Sequence, residues 1–185
     1  MNLPNKITLG RMFIAPIFLA LYLADIQHKF LVSAIIFGIG AITDALDGSI
    51  ARKNNLITNF GKLLDPIADK MLVTAALLAF MRDGLCNIWI VMVILSRDFA
   101  VNSLRMIAAS SKVVIPANIG GKIKTVFQMV AFVVVMLLCE ACQYWQLDWN
   151  MSLVSNILMG ISAVISVVSG IIYIVDGVRL IDFKK

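Results

Sequence analysis

Residues 30–69 read FLVSAIIFGIGAITDALDGSIARKNNLITNFGKLLDPIAD. The run Phe30–Thr43 carries no ionisable side chain, and two aspartates, Asp44 and Asp47, follow it at once. A bilayer-spanning helix needs about 20 predominantly apolar residues, and this run opens a segment of that length over 30–51. A second one, 63–82, begins beside Asp65 and Asp69. Working outward, four more fit at 7–25, 87–109, 120–142 and 151–175, with short connections between them. Only the last is free of charge, since Tyr173 is the one ionisable side chain between Asn150 and Val175.

The composition demands such a reading. Hydrophobic residues make up 61% of the 185, charged residues 15%, and the mean hydropathy is +0.93, against roughly 45–50% apolar and 25% charged in ordinary globular domains. A domain of 20.3 kDa has too much surface to hide that excess. Soluble, disordered and disulfide-rich secreted classes are therefore set aside. The expected fold is an all-α membrane protein, a single domain over 1–185 with six transmembrane helices. No small-residue cleavage site follows the first apolar run, so the first segment is expected to stay in the membrane. The stretch Met1–Arg11, with Asn5 as a candidate cap and Ile7 and Leu9 apolar, is expected to form a short interfacial helix ahead of it, although Gly10 and Pro16 both weaken a continuous helix. Internal repeats of the kind many transporters use are not visible. One histidine, His28, and three cysteines, Cys86, Cys139 and Cys142, leave little for a Ser-His-Asp triad or a zinc site.

Basic residues near span ends are retained in the cytoplasm. Six spans put both termini on one side, and Arg179, Lys184 and Lys185 mark that side as cytoplasmic. Lys6, Arg11, Arg52, Lys53, Lys62, Lys70, Arg97, Arg105, Lys112, Lys122 and Lys124 then fall in the same half, which leaves only Lys29 and Arg82 facing out. Trp89, Tyr144, Trp145 and Trp149 gather at the opposite ends, as an interfacial aromatic belt does. The net charge of +5 is thus mostly a topology signal and suits an anionic leaflet or phosphate-bearing substrates. No soluble basic face remains for nucleic acid.

Asp44 and Asp47 stand i,i+3 and Asp65 and Asp69 i,i+4, so each pair shares one face of its helix. Two neighbouring helices would aim four carboxylates at one point, where their mutual repulsion calls for a cation. Oxygen-only ligands favour a hard ion such as Mg²⁺ or Mn²⁺, and four carboxylates can hold two. The competing reading, solvated charges at helix ends with Asp65 merely complementing the helix dipole, serves any one aspartate well and all four poorly, because ionisable residues inside spans are costly. Gly48 and Ala51, one turn apart, clear a lane beside the metals, and Arg52 offers a forked donor suited to phosphate. A lane, a guanidinium and a metal cluster describe a diphosphate site. Close helix packing explains Gly48 or Ala51 equally well taken singly.

Written out, the segment is Asp44-x2-Asp47-Gly48-x2-Ala51-Arg52-x8-Gly61-x3-Asp65-x3-Asp69, which resembles the CDP-alcohol phosphotransferase signature at every defined position. Asn2-Leu-Pro-Asn5, Ser96-Arg97-Asp98 through Leu104-Arg105, and Gly121-Lys122-Ile-Lys124-Thr125 extend the similarity over most of the chain, toward the bacterial branch that uses sn-glycerol 3-phosphate. At the position of Asp98 the family more often has glutamate. The resemblance implies six transmembrane helices, usually paired in a homodimer, in the bacterial cytoplasmic membrane with the site facing the cytoplasm. It implies transfer of the phosphatidyl group from CDP-diacylglycerol to an alcohol, releasing CMP. Asp44, Asp47 and Asp65 would hold the metals, Asp69 would complete the site and accept the hydroxyl proton, and Gly48, Ala51, Arg52, Thr58 and Gly61 would line the cytidine diphosphate. A phosphatidylinositol-phosphate or phosphatidylserine synthase would share this donor site and differ in its acceptor pocket. A divalent-cation channel is the reading from another class; it would need polar groups on both sides of the midplane.

Arg97 and Arg105 lie eight residues apart in the fourth segment, nearly on one face and about 12 Å apart along a helix. Lys122 and Lys124 open the fifth segment at the same level. Together they make a basic patch for the acceptor's phosphate. The alternative is that Arg97 pairs with Asp98 or with the aspartate cluster, and that the lysines only obey the charge rule. Cys139-x2-Cys142 reads as packing, His28 as a solvated loop residue, and Glu140 and Asp148 as surface charges without a role.

Overall fold

The computed structural model describes the backbone over residues 3–53, 59–110 and 119–180, and side chains at 10, 12–43, 67–68, 70–108 and 119–177. The described residues form six helices: α1 Leu3–Leu23, α2 Lys29–Lys53, α3 Asn59–Arg82, α4 Ile88–Ser110, α5 Ile119–Trp145 and α6 Met151–Leu180. Each contains one of the segments expected from the apolar runs to within about three residues. Short connections at 24–28, 83–87 and 146–150 turn the chain at one end of the bundle, and each contains one left-handed residue: His28 (φ 62°), Gly84 (φ 69°) and Gln146 (φ 51°). Asn87 and Asn150 then cap the next helices, their side-chain oxygens accepting the Trp89 and Leu153 amides at 2.9 and 3.1 Å.

The short interfacial helix expected ahead of the first span is not a separate element. Leu3–Leu23 is one helix with Pro16 inside it. Pro4 fits the first turn, where its missing donor costs nothing, and the weakness at Gly10 and Pro16 is outweighed by packing of α1 on α2 and α3. At Gly40 of α2 a β-carbon would lie 2.7 Å from Leu72 and 3.2 Å from Ile14. A missing side chain thus lets the three helices meet.

A chain of aromatic rings fills the centre. Phe18 and Tyr22 of α1, Phe37 of α2, Phe80 of α3 and Phe132 of α5 are each fully buried, and successive rings meet at centroid distances of 5.3–6.2 Å, several edge to face. The outward faces are apolar too: Phe13 and Ile17, Ile35 and Ile42, Leu78, Met92 and Phe99, Val126 and Val130, and Val164 and Ile171 stand exposed on the six helices in turn. Outward faces this apolar suggest an integral membrane protein. α5, and Met151–Gly177 of α6, are each long and apolar enough to cross a bilayer. Trp89, Tyr144, Trp145 and Trp149 are exposed at the end where the short connections lie.

Candidate functional site

Asp44 and Asp47 stand in the last turns of α2, and Asp65 and Asp69 in the first turns of α3. The chain reverses between them, so both stretches of backbone belong to the end of the bundle opposite the short connections. Gly48, Ala51 and Arg52 follow on α2, and Gly61 precedes on α3. The side chains of these residues lie outside the described ones, as does Thr58 altogether. Among the described residues no group of three or more His, Cys, Asp or Glu could hold a metal ion. The motif's four carboxylates remain the donor set whose chemistry suits a hard divalent cation.

Beyond the motif, the described side chains of this half converge on Asp98. The residue sits in the middle of α4 and is 3% exposed. Its Oδ1 accepts from Lys124 Nζ at 2.7 Å and from Arg97 Nη1 at 3.0 Å; its Oδ2 accepts from Lys124 Nζ at 2.8 Å and lies 3.6 Å from Lys70 Nζ. Lys124 opens α5 and is itself buried. Arg97 is anchored on its other side by α6: Nε donates to the Ser166 carbonyl and Nη2 to the Ser169 hydroxyl, both at 2.9 Å, while that hydroxyl donates to the Ser166 carbonyl at 3.0 Å. Gly170 makes the anchorage possible. A β-carbon there would lie 2.7 Å from Arg97 Cγ and 3.0 Å from its Nε. One carboxylate thus gathers cations from α3, α4 and α5, and α6 holds the arginine against it.

Of the four cations expected around an acceptor's phosphate, the structure brings Arg97 and Lys124 together, on Asp98. Lys122 is exposed on α5. Arg105 is also exposed and stands over Tyr173 of α6, its guanidinium carbon 5.7 Å from the ring centroid. Sequence reasoning missed Lys70 as a member of the cluster, together with Ser166, Ser169 and Gly170. The only signal for the last three was a Ser-x2-Ser-Gly step inside the longest uncharged segment.

The residues read as bland divide. Cys86, Cys139 and Cys142 are free thiols, the first two buried, as packing residues would be. Burial in the turn between α3 and α4 pushes the Cys86 thiol up to about 11, far from nucleophilic use. His28 is exposed but not merely solvated. Its Nδ1 pairs with Glu140 Oε1, and Glu140 Oε2 accepts the Leu31 amide at 3.2 Å. Glu140 of α5 therefore caps the start of α2 and has a structural role that its sequence position did not suggest.

Comparison with known proteins adds an independent line. Residues 1–173 match the family described as CDP-alcohol phosphatidyltransferase. The chain is 47% identical over 148 residues to the CDP-diacylglycerol–glycerol-3-phosphate 3-phosphatidyltransferase of Bacillus subtilis (strain 168), covering 74% of this chain and 77% of that one. It is 35% identical over 172 residues to the protein of the same name from Rickettsia bellii, with 93% of each covered. A probable phosphatidylglycerophosphate synthase of Mycobacterium tuberculosis is 34% identical over 181 residues, 96% of this chain and 82% of that protein.

Proposed function

The chain belongs to the CDP-alcohol phosphatidyltransferase family, and from that premise we propose that it transfers the phosphatidyl group of CDP-diacylglycerol to sn-glycerol 3-phosphate, giving phosphatidylglycerophosphate and CMP. The observation that carries this reading is the eight-residue motif from Asp44 to Asp69, divided between the end of α2 and the start of α3. Relatives named for this reaction align over most of the chain and support the choice of acceptor.

Asp44, Asp47, Asp65 and Asp69 are the residues that would hold two Mg²⁺ or Mn²⁺ ions. When bound, such ions neutralise charge that builds on the diphosphate and lower the pKa of a nearby hydroxyl. Arg52 donates to the donor's phosphates, Gly48 and Ala51 leave room for the nucleotide beside the backbone, and Thr58 and Gly61 complete that wall. The acceptor hydroxyl attacks the phosphorus that carries the diacylglycerol. Asp69 takes its proton as the new P–O bond forms, and the P–O bond to CMP breaks. Such transfers depend mainly on positioning and charge neutralisation, with little covalent work for the protein. The acceptor's own phosphate is met by Arg97, Arg105, Lys122 and Lys124.

All six helices span the bilayer in this reading, in the bacterial cytoplasmic membrane, with the motif end in the cytoplasm and a second copy of the chain completing a homodimer. The distribution of basic residues supports the orientation. A cation pathway is disfavoured by the buried aromatic rings across the middle of the bundle.

CMP release tests the reading. Purified protein given CDP-diacylglycerol and Mg²⁺ should release CMP with sn-glycerol 3-phosphate and far less with inositol phosphate or serine. Preference for either of those would keep the family and replace the enzyme; no CMP with any alcohol would remove the transferase reading.

A further inference from the structure

The end of the bundle opposite the motif holds an open cavity of about 540 Å³, within the roughly 300–1,000 Å³ of small-molecule sites. The transfer reaction makes no use of it. Lys29 and Phe30 from the start of α2, Asp83 from the turn after α3, Cys142 and Gln143 from the end of α5, and Met151 from the start of α6 line it. Every wall is a helix end, which puts the cavity at the depth of lipid headgroups. Trp145 and Trp149, exposed at the same end, mark that depth as well.

The polar side of the cavity carries one charge of each sign, loosely matched. Lys29 Nζ lies 3.8 Å from Asp83 Oδ2, beyond hydrogen-bond length, so the pair attracts while each member keeps its bonding capacity. The Lys29 ammonium rests on the Phe30 ring instead, 4.8 Å from its centroid, a contact that uses none of its three N–H donors. Asp83 has about four acceptor sites, and the buried Tyr22 hydroxyl beside it makes no hydrogen bond among the described residues. Both side chains are largely covered, 28% and 24% exposed, which makes unspent polar capacity costly and its satisfaction by a ligand favourable.

Charge complementarity narrows the ligand. This end of the bundle carries Asp25, Asp83, Glu140 and Asp148 against Lys29 and Arg82, so an anion alone meets repulsion. A cation alone meets Lys29. A quaternary ammonium has no N–H to give Asp83, and the aromatic face that would attract it is already covered by Lys29. A phosphate and a primary ammonium joined by a short spacer satisfy both charges at once. We propose that this cavity is a second ligand site, specific for a zwitterion of the phosphoethanolamine type, with its phosphate on Lys29 and the Gln143 amide and its ammonium on Asp83. Phe30 and Met151 supply the apolar wall that the glycerol end of a lipid carrying this headgroup would need. The inference stands on the cavity's own geometry and is independent of the transferase reading.

The test uses the full chain, purified in detergent. Its melting is followed by tryptophan fluorescence against rising concentrations of short-chain phosphatidylethanolamine, with phosphatidylcholine and phosphatidylglycerol of the same chain length controlling for effects on the micelle, and free phosphoethanolamine as a fourth arm. A ligand that binds only the folded chain should raise the melting temperature by about 5–10 °C at about a hundred times its Kd. That rise is expected with phosphatidylethanolamine and not with the two controls. Alkylation of Cys142, read by peptide mass spectrometry, should slow severalfold in the same order. Lys29→Met and Asp83→Asn should each abolish the ligand-induced rise, which is measured within each variant and so is separate from any change in basal stability. Should neither variant fold, the order of the lipids on the wild-type chain and the protection of Cys142 decide alone. A rise with free phosphoethanolamine as well supports a soluble zwitterion as the occupant, and a rise with the lipid alone supports the membrane as its source. Equal effects of phosphatidylcholine, a preference for phosphatidylglycerol, no rise with either phosphoethanolamine probe, or a rise that survives in both variants overturns the proposal and leaves the transferase reading, which CMP release tests, untouched.

Discussion

Gly170→Ala is a small change with a large expected effect. The new β-carbon would lie 2.7 Å from Arg97 Cγ, 3.0 Å from Nε and 3.4 Å from Cδ. Ordinary contact begins near 3.4 Å, so something must yield by about 0.7 Å. The arginine stem has little freedom to do so. Its Cγ is close to the α4 backbone, and its far end is held by Ser166, Ser169 and Asp98. Overpacking of this kind costs about 1–3 kcal/mol, while replacing a helical glycine by alanine gains up to about 1 kcal/mol. Gly160, on the same helix, has nothing within 4 Å of an added β-carbon and isolates the second effect. The difference between Gly170→Ala and Gly160→Ala is therefore the overpacking effect alone. At about 2–4 °C per kcal/mol for a chain of this size, Gly170→Ala should melt roughly 2–12 °C below Gly160→Ala when tryptophan fluorescence is followed in detergent. Displacing Arg97 should also raise the KM for glycerol 3-phosphate, about fivefold for each kcal/mol by which its hold on the phosphate weakens. Equal melting temperatures and equal acceptor KM values for the two variants would refute the anchorage of Arg97 by α6.

Activity should vanish on chelation of divalent metal, and Asp69→Asn should lose turnover while retaining CDP-diacylglycerol binding; turnover that survives both would remove Asp69 as the base and the metals with it. A single cysteine at position 55, on a cysteine-free background, should resist an impermeant thiol reagent in intact cells, and labelling from outside would invert the proposed orientation. Glu140→Ala removes the cap on α2 and the partner of His28, so it should destabilise the protein by about 1 kcal/mol and leave the saturated rate of CMP release unchanged.

The six helices were legible because long apolar runs mark them along the chain independently of what packs against them. The site was legible only along the chain. Asp44-x2-Asp47 and Asp65-x3-Asp69 announce their chemistry by spacing, and the pairing of Arg97 with Asp98 was foreseen as an alternative because the two are neighbours. Lys70, Ser166 and Gly170 were invisible for a physical reason. Which face of α3 or α6 turns toward α4 depends on how side chains interlock across helices, and no local pattern encodes it. Pro16 weakens a helix by local propensity, but the backbone groups that a proline frees inside an apolar bundle can be compensated by neighbouring helices and local adjustment, and α1 runs on through it.

The two ends of the bundle are fastened by different means, and the difference bears on the proposed reaction. Where the short connections lie, turn geometry and short polar bonds fasten the helices, with the His28–Glu140 and Lys29–Asp83 pairs at the rim: left-handed turn residues, capping asparagines, the hold of Ser152 on the Gly84 carbonyl at 2.7 Å and of Asn156 on the Asn87 amide at 2.7 Å. The aromatic rings close the middle. On the motif side the described helices are joined largely through charge, with Asp98 linking α3, α4 and α5, and Arg97 carrying the link to α6. Lys124 lies eight residues before Phe132 on α5, and Lys70 ten before Phe80 on α3, so the charge sits about 12–15 Å along the helices from the rings. A site built there opens to one side alone. In the transferase reading the nucleotide and glycerol 3-phosphate arrive from the motif end, the acyl chains stay in the adjoining leaflet, and the new lipid is left in the leaflet that supplied its precursor.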